Sequence, residues 1–300
     1  MSHPELDAPE LSVVIPVYNR PAEAVRAIES VYSQHVEDLE ILVVDDGSDP
    51  PLALPQILTG APRLRLLRHA PNRGAAAARN TGLRAARGTW IAFLDSDDRW
   101  LPGTLAPRLA DARRSAAAGA DPLLVYVAGF EYPRAAGERT AIRMPVAASD
   151  PLDFASGCWF SPGSTALFLR EPILSRVGLQ DERLRRFEDV DWFLRIALAG
   201  GGIAVHPIVA AQLGSGSRPS AATVERQGRL VLQNFAAAGG RKSTRRIHRR
   251  LRAWLAFERA SACWHEGDYW ATPVNLMRSW WLAPRLGLYL RRFWQRQAVA

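Results

Sequence analysis

Acidic residues gather in three short clusters, each set against an apolar run. Asp45-Asp46-Gly47-Ser48 follows residues 39–44, Asp95-Ser96-Asp97-Asp98 follows residues 90–94, and Glu188-Asp189 precedes residues 190–199. Carboxylates crowded at the ends of buried strands repel one another and lose hydration, so a cation, a polyol or a proton transfer is needed to justify them. Asp95 and Asp97, one residue apart on a strand-to-loop turn, suit a hard divalent cation such as Mg²⁺ or Mn²⁺ that also takes diphosphate oxygens. Asp46 could accept hydrogen bonds from a nucleobase or ribose hydroxyls. Asp189, with Glu188 beside it, could take a hydroxyl proton as a general base. Each cluster also has a plainer reading. Asp and Ser cap turns, and acids favour the first turn of a helix. Taken singly, the turn or cap is the stronger reading for Asp46 and Asp189. For Asp95 and Asp97 the two readings are level, and a third acid at Asp98 raises the energy of leaving the turn without a cation.

Asn72-Arg73-Gly74, with Arg79-Asn80 one turn on, opens a helix whose N-terminus and guanidinium would attract phosphate. A solvated helix face is the plainer alternative. Trp100, Trp159 and Trp192 could stack on sugar rings, although core packing is the commoner fate of a tryptophan. Cys158 reads as a small buried residue and His206 as structural.

These residues need elements to position them. Leu11–Val17 and residues 39–44 are short, β-branched apolar runs that read as buried strands, residues 63–68 alternate like a third, and residues 90–94 form a fourth. Helical spacing covers residues 20–34, with Pro21 at its start, and residues 75–86. This alternation predicts an α/β sheet, mainly parallel, with helices on both faces. Ligands of such sheets sit at the carboxyl ends of the strands, where Asp46 and Asp97 fall. Further on, residues 102–118 read as a helix and residues 123–131 and 163–169 as strands. Residues 210–221 form a Gly/Ser/Pro-rich loop. Helices then cover roughly 222–238, 244–266, 269–282 and 284–297.

The chain has 300 residues, two cysteines and six histidines, with no disulfide framework and no paired metal spacing. The net charge of +8 is uneven. Residues 241–300 hold 13 Lys+Arg against 3 Asp+Glu, while residues 1–240 hold 25 against 27. Six of the ten tryptophans also lie after residue 250. A basic, tryptophan-rich tail suits an anionic membrane interface, or else a helical cap with solvated arginines. No nucleic-acid motif accompanies it, so no nucleic acid is expected. Residues 1–10 lack the basic start and apolar core of a signal peptide, and no run is long enough to cross a membrane, so a cytoplasmic protein is expected.

Taken in order, SVVIPVYNR, VVDDGS, NRGAAAARNTG, IAFLDSDDRW and FEDVDWFLR resemble the inverting family 2 glycosyltransferases of GT-A fold. The resemblance covers residues 11–215 and implies a Rossmann-like α/β domain there. Residues 1–10 are then a polar extension and 222–300 a basic helical region. It further implies that Pro16, Tyr18 and Asn19 frame the nucleotide, Asp46 contacts the base, Arg79 lies near the diphosphate, Asp97 holds the metal with Asp95 beside it, and Asp189 is the base next to Glu188. The donor implied is a nucleoside-diphosphate sugar, UDP-linked. The resemblance does not identify the acceptor; a glycan or lipid-linked hydroxyl of surface polysaccharide biosynthesis is expected, the basic, tryptophan-rich tail favouring a lipid-linked one with the protein peripheral on the inner face of the membrane. One departure stands out: where many members carry a histidine after the last core strand, this chain has Leu213. A catalytically degenerate sugar-binding module is the rival reading, and a nucleotidyltransferase a second, although residues 15–20 are not a Gly-rich triphosphate loop.

Overall fold

Apolar residues without a break make Leu11–Val17 (β1) and Leu39–Asp45 (β2) strands buried on both faces, as in a parallel sheet. In the computed structural model, which describes residues 8–59, 63–132, 141–214, 216, 218–237 and 243–286, the two lie side by side in register. Between them α1 (Pro21–Tyr32) starts with Pro21, whose missing N–H is no loss in a first turn, and buries Ala24, Ala27, Ile28 and Val31. There follow α2 (Gln56–Thr59), β3 (Leu64–Arg68), α3 (Ala75–Ala85) and β4 (Trp90–Phe93). The middle of the chain supplies β5 (Arg99–Trp100), α4 (Leu105–Ala117), β6 (Leu124–Tyr132), β7 (Ala141–Arg143), α5 (Pro151–Phe154), β8 (Leu167–Leu169), α6 (Arg170–Arg176), α7 (Glu188–Leu198) and β9 (Gly202–Gln212). Three helices close the described chain: α8 (Ala221–Ala237), α9 (Ser243–Glu266) and α10 (Ala271–Leu282).

The strands form one mixed sheet in the order β3-β2-β1-β4-β8-β6-β9-β5, with β7 on β6. Its first four strands are parallel. β8 then runs antiparallel to both β4 and β6. Period-two alternation in β1 and β2 sends Val13, Ile15, Ile41 and Val43 to one face and Val14 and Leu42 to the other. The second face is shared with Val224, Val231, Leu251 and Leu255 of the C-terminal helices, so these helices and the α/β body bury one continuous core.

The expected strand over 163–169 shortens to β8. Residues 161–165 make a turn instead, with the Ser164 and Thr165 N–H groups both donating to Ser161 O. The short elements β5, β7, α2, α5 and α6 carry too few residues to show a period. The expected helix over 284–297 lies beyond the described residues after 286, as do residues 1–7 of the extension and Trp294.

Candidate active site

Two cavities, of about 640 and 550 Å³, open beside the carboxyl ends of β1, β2 and β4. They share Arg79, Asp95, Asp97, Arg186 and Glu188, so they are two lobes of one cleft. The first lobe is walled by Pro16, Tyr18, Asn19, Asp46 and Gly74, the second by Asp189, Cys158, Phe187, Leu213 and Trp254.

In the first lobe, Asn19 turns the chain with φ 53°. Its N–H donates to Ser48 Oγ (2.9 Å), and its side-chain oxygen accepts from Asp49 N (2.9 Å), tying the loop after β1 to the one after β2. The Tyr18 ring is about half exposed beside it. Asp46 is buried and fully engaged. Oδ1 accepts from Arg73 N (2.9 Å) and lies 2.7 Å from His69 Nδ1; Oδ2 accepts from Gly74 N (2.6 Å) and Asn72 Nδ2 (2.8 Å). Four partners fill a carboxylate's acceptor capacity. Asp46 therefore shapes the entry to α3, where Gly74 at φ 92° aims its N–H inward and a Cβ would strike Arg185.

At the junction, Arg79 donates to Asp95 Oδ1 (2.6 Å) and Glu188 Oε1 (3.1 Å). Burial opposes its charge, yet Asp95 and Glu188 outweigh burial and raise its pKa. Its Nε is buried without a hydrogen-bond partner, and its guanidinium lies 5.8 Å from the Phe93 ring centroid. Asp97 pairs with Arg20 from the loop after β1. Asp98 faces inward, accepting from Ser164 Oγ and from Gly214 N (2.7 Å); burial and the Asp95 charge push it up to about 7. Among the described residues no three His, Cys, Asp or Glu side chains form a metal cage. Asp97 with a donor diphosphate nevertheless fits a hard cation, which is commonly held by one or two carboxylates plus substrate phosphates.

In the second lobe, Asp189 occupies the first turn of α7, after Phe187 at φ 65°. Its Oδ1 accepts from Val190 N (2.8 Å) inside that turn, while the N-cap is Phe187 and carries no side-chain cap bond. Burial, then the Glu188 charge, raise its pKa to about 6 against the pull of Val190 N, Arg79 and Arg186. A carboxyl held there is a competent base near neutral pH. Cys158 lines the same lobe as Asp189, and burial with the Asp189 and Glu188 charges pushes its thiol pKa well up. Trp254 of α9 meets Phe187 edge to face, 5.2 Å between centroids.

The cleft thus gathers Pro16, Tyr18, Asn19, Asp46, Arg79, Asp95, Asp97, Glu188 and Asp189. Trp100, Trp159 and Trp192 are buried in the core instead. His206 pairs with Asp111 away from the cleft, and Leu213 lines the second lobe where a histidine was sought. Sequence reasoning missed Arg20, Arg186, Cys158, His69 and Trp254 as cleft or cleft-supporting residues. Arg20 and Arg186 had a signal, since Arg20 closes the first motif and Arg186 adjoins the last; Trp254, remote in sequence, had none.

A family model described as glycosyl transferase family 2 matches residues 12–176. The succinoglycan biosynthesis protein ExoO of Rhizobium meliloti is 35% identical over 220 residues, 69% of this chain and 61% of its own length. The pre-mycofactocin glycosyltransferase of Mycobacterium tuberculosis is 32% identical over 200 residues, 66% of this chain and 41% of its own. The chain thus spans less than two thirds of these curated relatives. Among solved structures, residues 1–349 of S. aureus TarS with UDP-GlcNAc superpose with TM-score 0.62 at 18% identity, over 93% of this chain and 83% of that one. A Pyrobaculum calidifontis mannosyltransferase with GDP-Man and Mn²⁺ gives 0.52 at 22%, over 95% and 79%. These share the GT-A fold of a mixed sheet with added helices. With the family model covering more than half of the sequence, and with acids at the strand ends of that fold, the chain belongs to glycosyl transferase family 2.

Proposed function

We propose that this glycosyltransferase moves a sugar from a UDP-linked donor to a hydroxyl of a glycan or lipid-linked acceptor, with inversion, in surface polysaccharide biosynthesis. Residues 11–215 supply the transferase module and 222–300 a helical layer that keeps the protein peripheral on the inner face of the membrane. The observation that carries the reading is the two-lobed cleft joined at Arg79, with Asp97 shared by both lobes and Asp189 in the second. TarS bound to UDP-GlcNAc and a relative named for succinoglycan synthesis support the donor and the setting.

In this reading the nucleotide lies in the first lobe, framed by Pro16, Tyr18 and Asn19. Asp46 holds the Asn72-Arg73-Gly74 turn against it. Mg²⁺ or Mn²⁺ at Asp97, when bound, neutralises charge on the departing diphosphate. Arg20, from the loop after β1, pairs with Asp97 and adds positive charge on the same side. Arg79 bonds both Asp95 and Glu188 and holds them in place, which sets the base beside the sugar. The acceptor enters along Phe187 and Trp254. Its hydroxyl gives its proton to Asp189 while the oxygen attacks the anomeric carbon; the bond from that carbon to the diphosphate oxygen breaks, and UDP leaves with the electron pair. One displacement inverts the anomer.

The test is to screen UDP-, GDP- and dTDP-sugars for nucleotide release with and without Mn²⁺, and to read the product anomer by NMR. UDP release and an inverted product are expected. A retained anomer would overturn the one-step displacement, and binding of UDP without turnover of any donor would favour a sugar-binding module.

A further inference from the structure

Helix α10 is built inside out. Its buried positions are Thr272, Asn275, Ser279 and Leu282, three, four and three residues apart. Three of the four are polar and satisfied at once: Thr272 Oγ1 donates to Asp268 O (2.9 Å), Asn275 Nδ2 to Ala271 O (2.8 Å) and Ser279 Oγ to Ala253 O of α9 (2.8 Å). The opposite face carries Trp270, Val274, Met277 and Trp281, four, three and four apart, with Trp280 beside them; all five are 61–89% exposed. A helix facing water shows the reverse assignment. A continuous apolar stripe of this kind needs a covering surface.

The chemistry changes at the end of this stripe. Arg246, Arg249 and Arg250 of α9 and Arg285 line a cavity of about 240 Å³ closed by the turn after Leu282, with no acid in its lining. Four guanidinium groups around a small cavity suit a phosphate. Tryptophans beside arginines match a bilayer interface, where indoles sit at headgroup level and cations meet anionic lipid. A second copy fits less well, because a two-fold contact would set the same acid-free helix against itself and bring no anion to the arginines.

We infer that α10 is a membrane-docking helix. It lies flat on an anionic bilayer, its Trp270–Trp281 stripe in the headgroup–acyl boundary and a lipid phosphate in the arginine cavity. The stripe is roughly 16 Å long at helical rise, too short to span but long enough to lie along the surface. The inference rests on the peripheral-membrane reading and gives it an element. α9 carries both the arginine cavity and Trp254 of the second lobe, so docking presents the cleft to acceptors held at the bilayer.

Vesicle co-sedimentation of the full chain tests this, with phosphatidylglycerol–phosphatidylcholine mixtures against pure phosphatidylcholine. The variants are Met277→Glu with Trp281→Glu, and Arg246→Ser with Arg249→Ser and Arg285→Ser. All five sites are exposed, and unchanged UDP affinity by calorimetry confirms folding. The glutamate pair should lower partitioning at least about tenfold on both compositions. The serine triple should remove the preference for anionic vesicles and its salt dependence. Full-length binding that survives the glutamate pair would place membrane contact elsewhere and sink the α10 assignment alone. No binding to anionic vesicles at low salt would sink the peripheral reading with it. A dimer by light scattering that the glutamate pair dissolves would show that a second copy covers the stripe.

Discussion

Helices α7 and α10 are nearly the same length, 11 and 12 residues, and both are rich in apolar side chains, yet they face opposite ways. α7 buries Val190, Trp192, Phe193 and Ile196, with Trp192 packed on Phe93 and Phe168. Its carboxylates gather at the N-terminus, where the helix dipole favours them and the cleft can use them. α10 turns Thr272, Asn275 and Ser279 inward and tryptophans outward. The contrast teaches that apolar content alone does not say where a helix goes. α7 uses its large side chains to brace a reactive end, whereas α10 uses small ones to lie close on α9 and keeps its large ones for another surface.

The largest effect should come from the reactive end of α7. Asp189→Asn keeps shape and removes basicity, so kcat should fall about 10²–10⁴-fold while UDP affinity stays within about twofold. A variant that loses UDP affinity but keeps kcat would make this end a binding site and remove one side of the contrast. Next, chemical denaturation should separate the two faces. Trp192→Ala should cost about 3–5 kcal/mol through cavity formation, and Trp281→Ala no more than about 0.5 kcal/mol. Equal costs would mean that the α10 stripe is covered within the folded chain. Asp46→Ala tests the same inward-polar design at α3. It leaves the N–H groups of Arg73 and Gly74 without their acceptor and should weaken UDP binding by about 1.5–3 kcal/mol. Unchanged affinity would leave Asp46 a turn residue only. The smallest effect is in pH. Asp189, raised to about 6, is the base only when ionised. The rate should therefore climb with pH, reach about half its plateau near pH 6 and level off above it. A profile flat from pH 5 to 8 would detach the base role from Asp189.

Much of the fold was legible in the sequence because β1, β2 and β4 are short apolar runs, each followed by a polar turn, and a chain of that pattern has few ways to bury itself. The acids after β2 and β4 emerge at the same end of the sheet, since both strands run parallel to β1 between them, which is why Asp46 and Asp97 could be placed together before any coordinates. The turn at residues 161–165 was not legible, since its apolar-polar pattern also suits a strand and only the bonds to Ser161 O distinguish them. The engagement of Asp46 by four partners, the bridge from Arg79 to Glu188 across 109 residues, and the meeting of Cys158 and Asp189 in one lobe depend on contacts that no local spacing encodes.

By itself the sequence determined the α/β alternation, the strand-end acids and the charge asymmetry of residues 241–300, because each follows from local residue type and short-range period. Tertiary structure alone decided what those residues meet. It sent Trp254 to the cleft and Trp281 to the surface, although both lie in the same basic, tryptophan-rich region. The reason is steric: α9 packs its apolar face onto the core beneath the sheet, and Ala253 O then offers α10 a close, polar seat that only small side chains such as Ser279 can occupy.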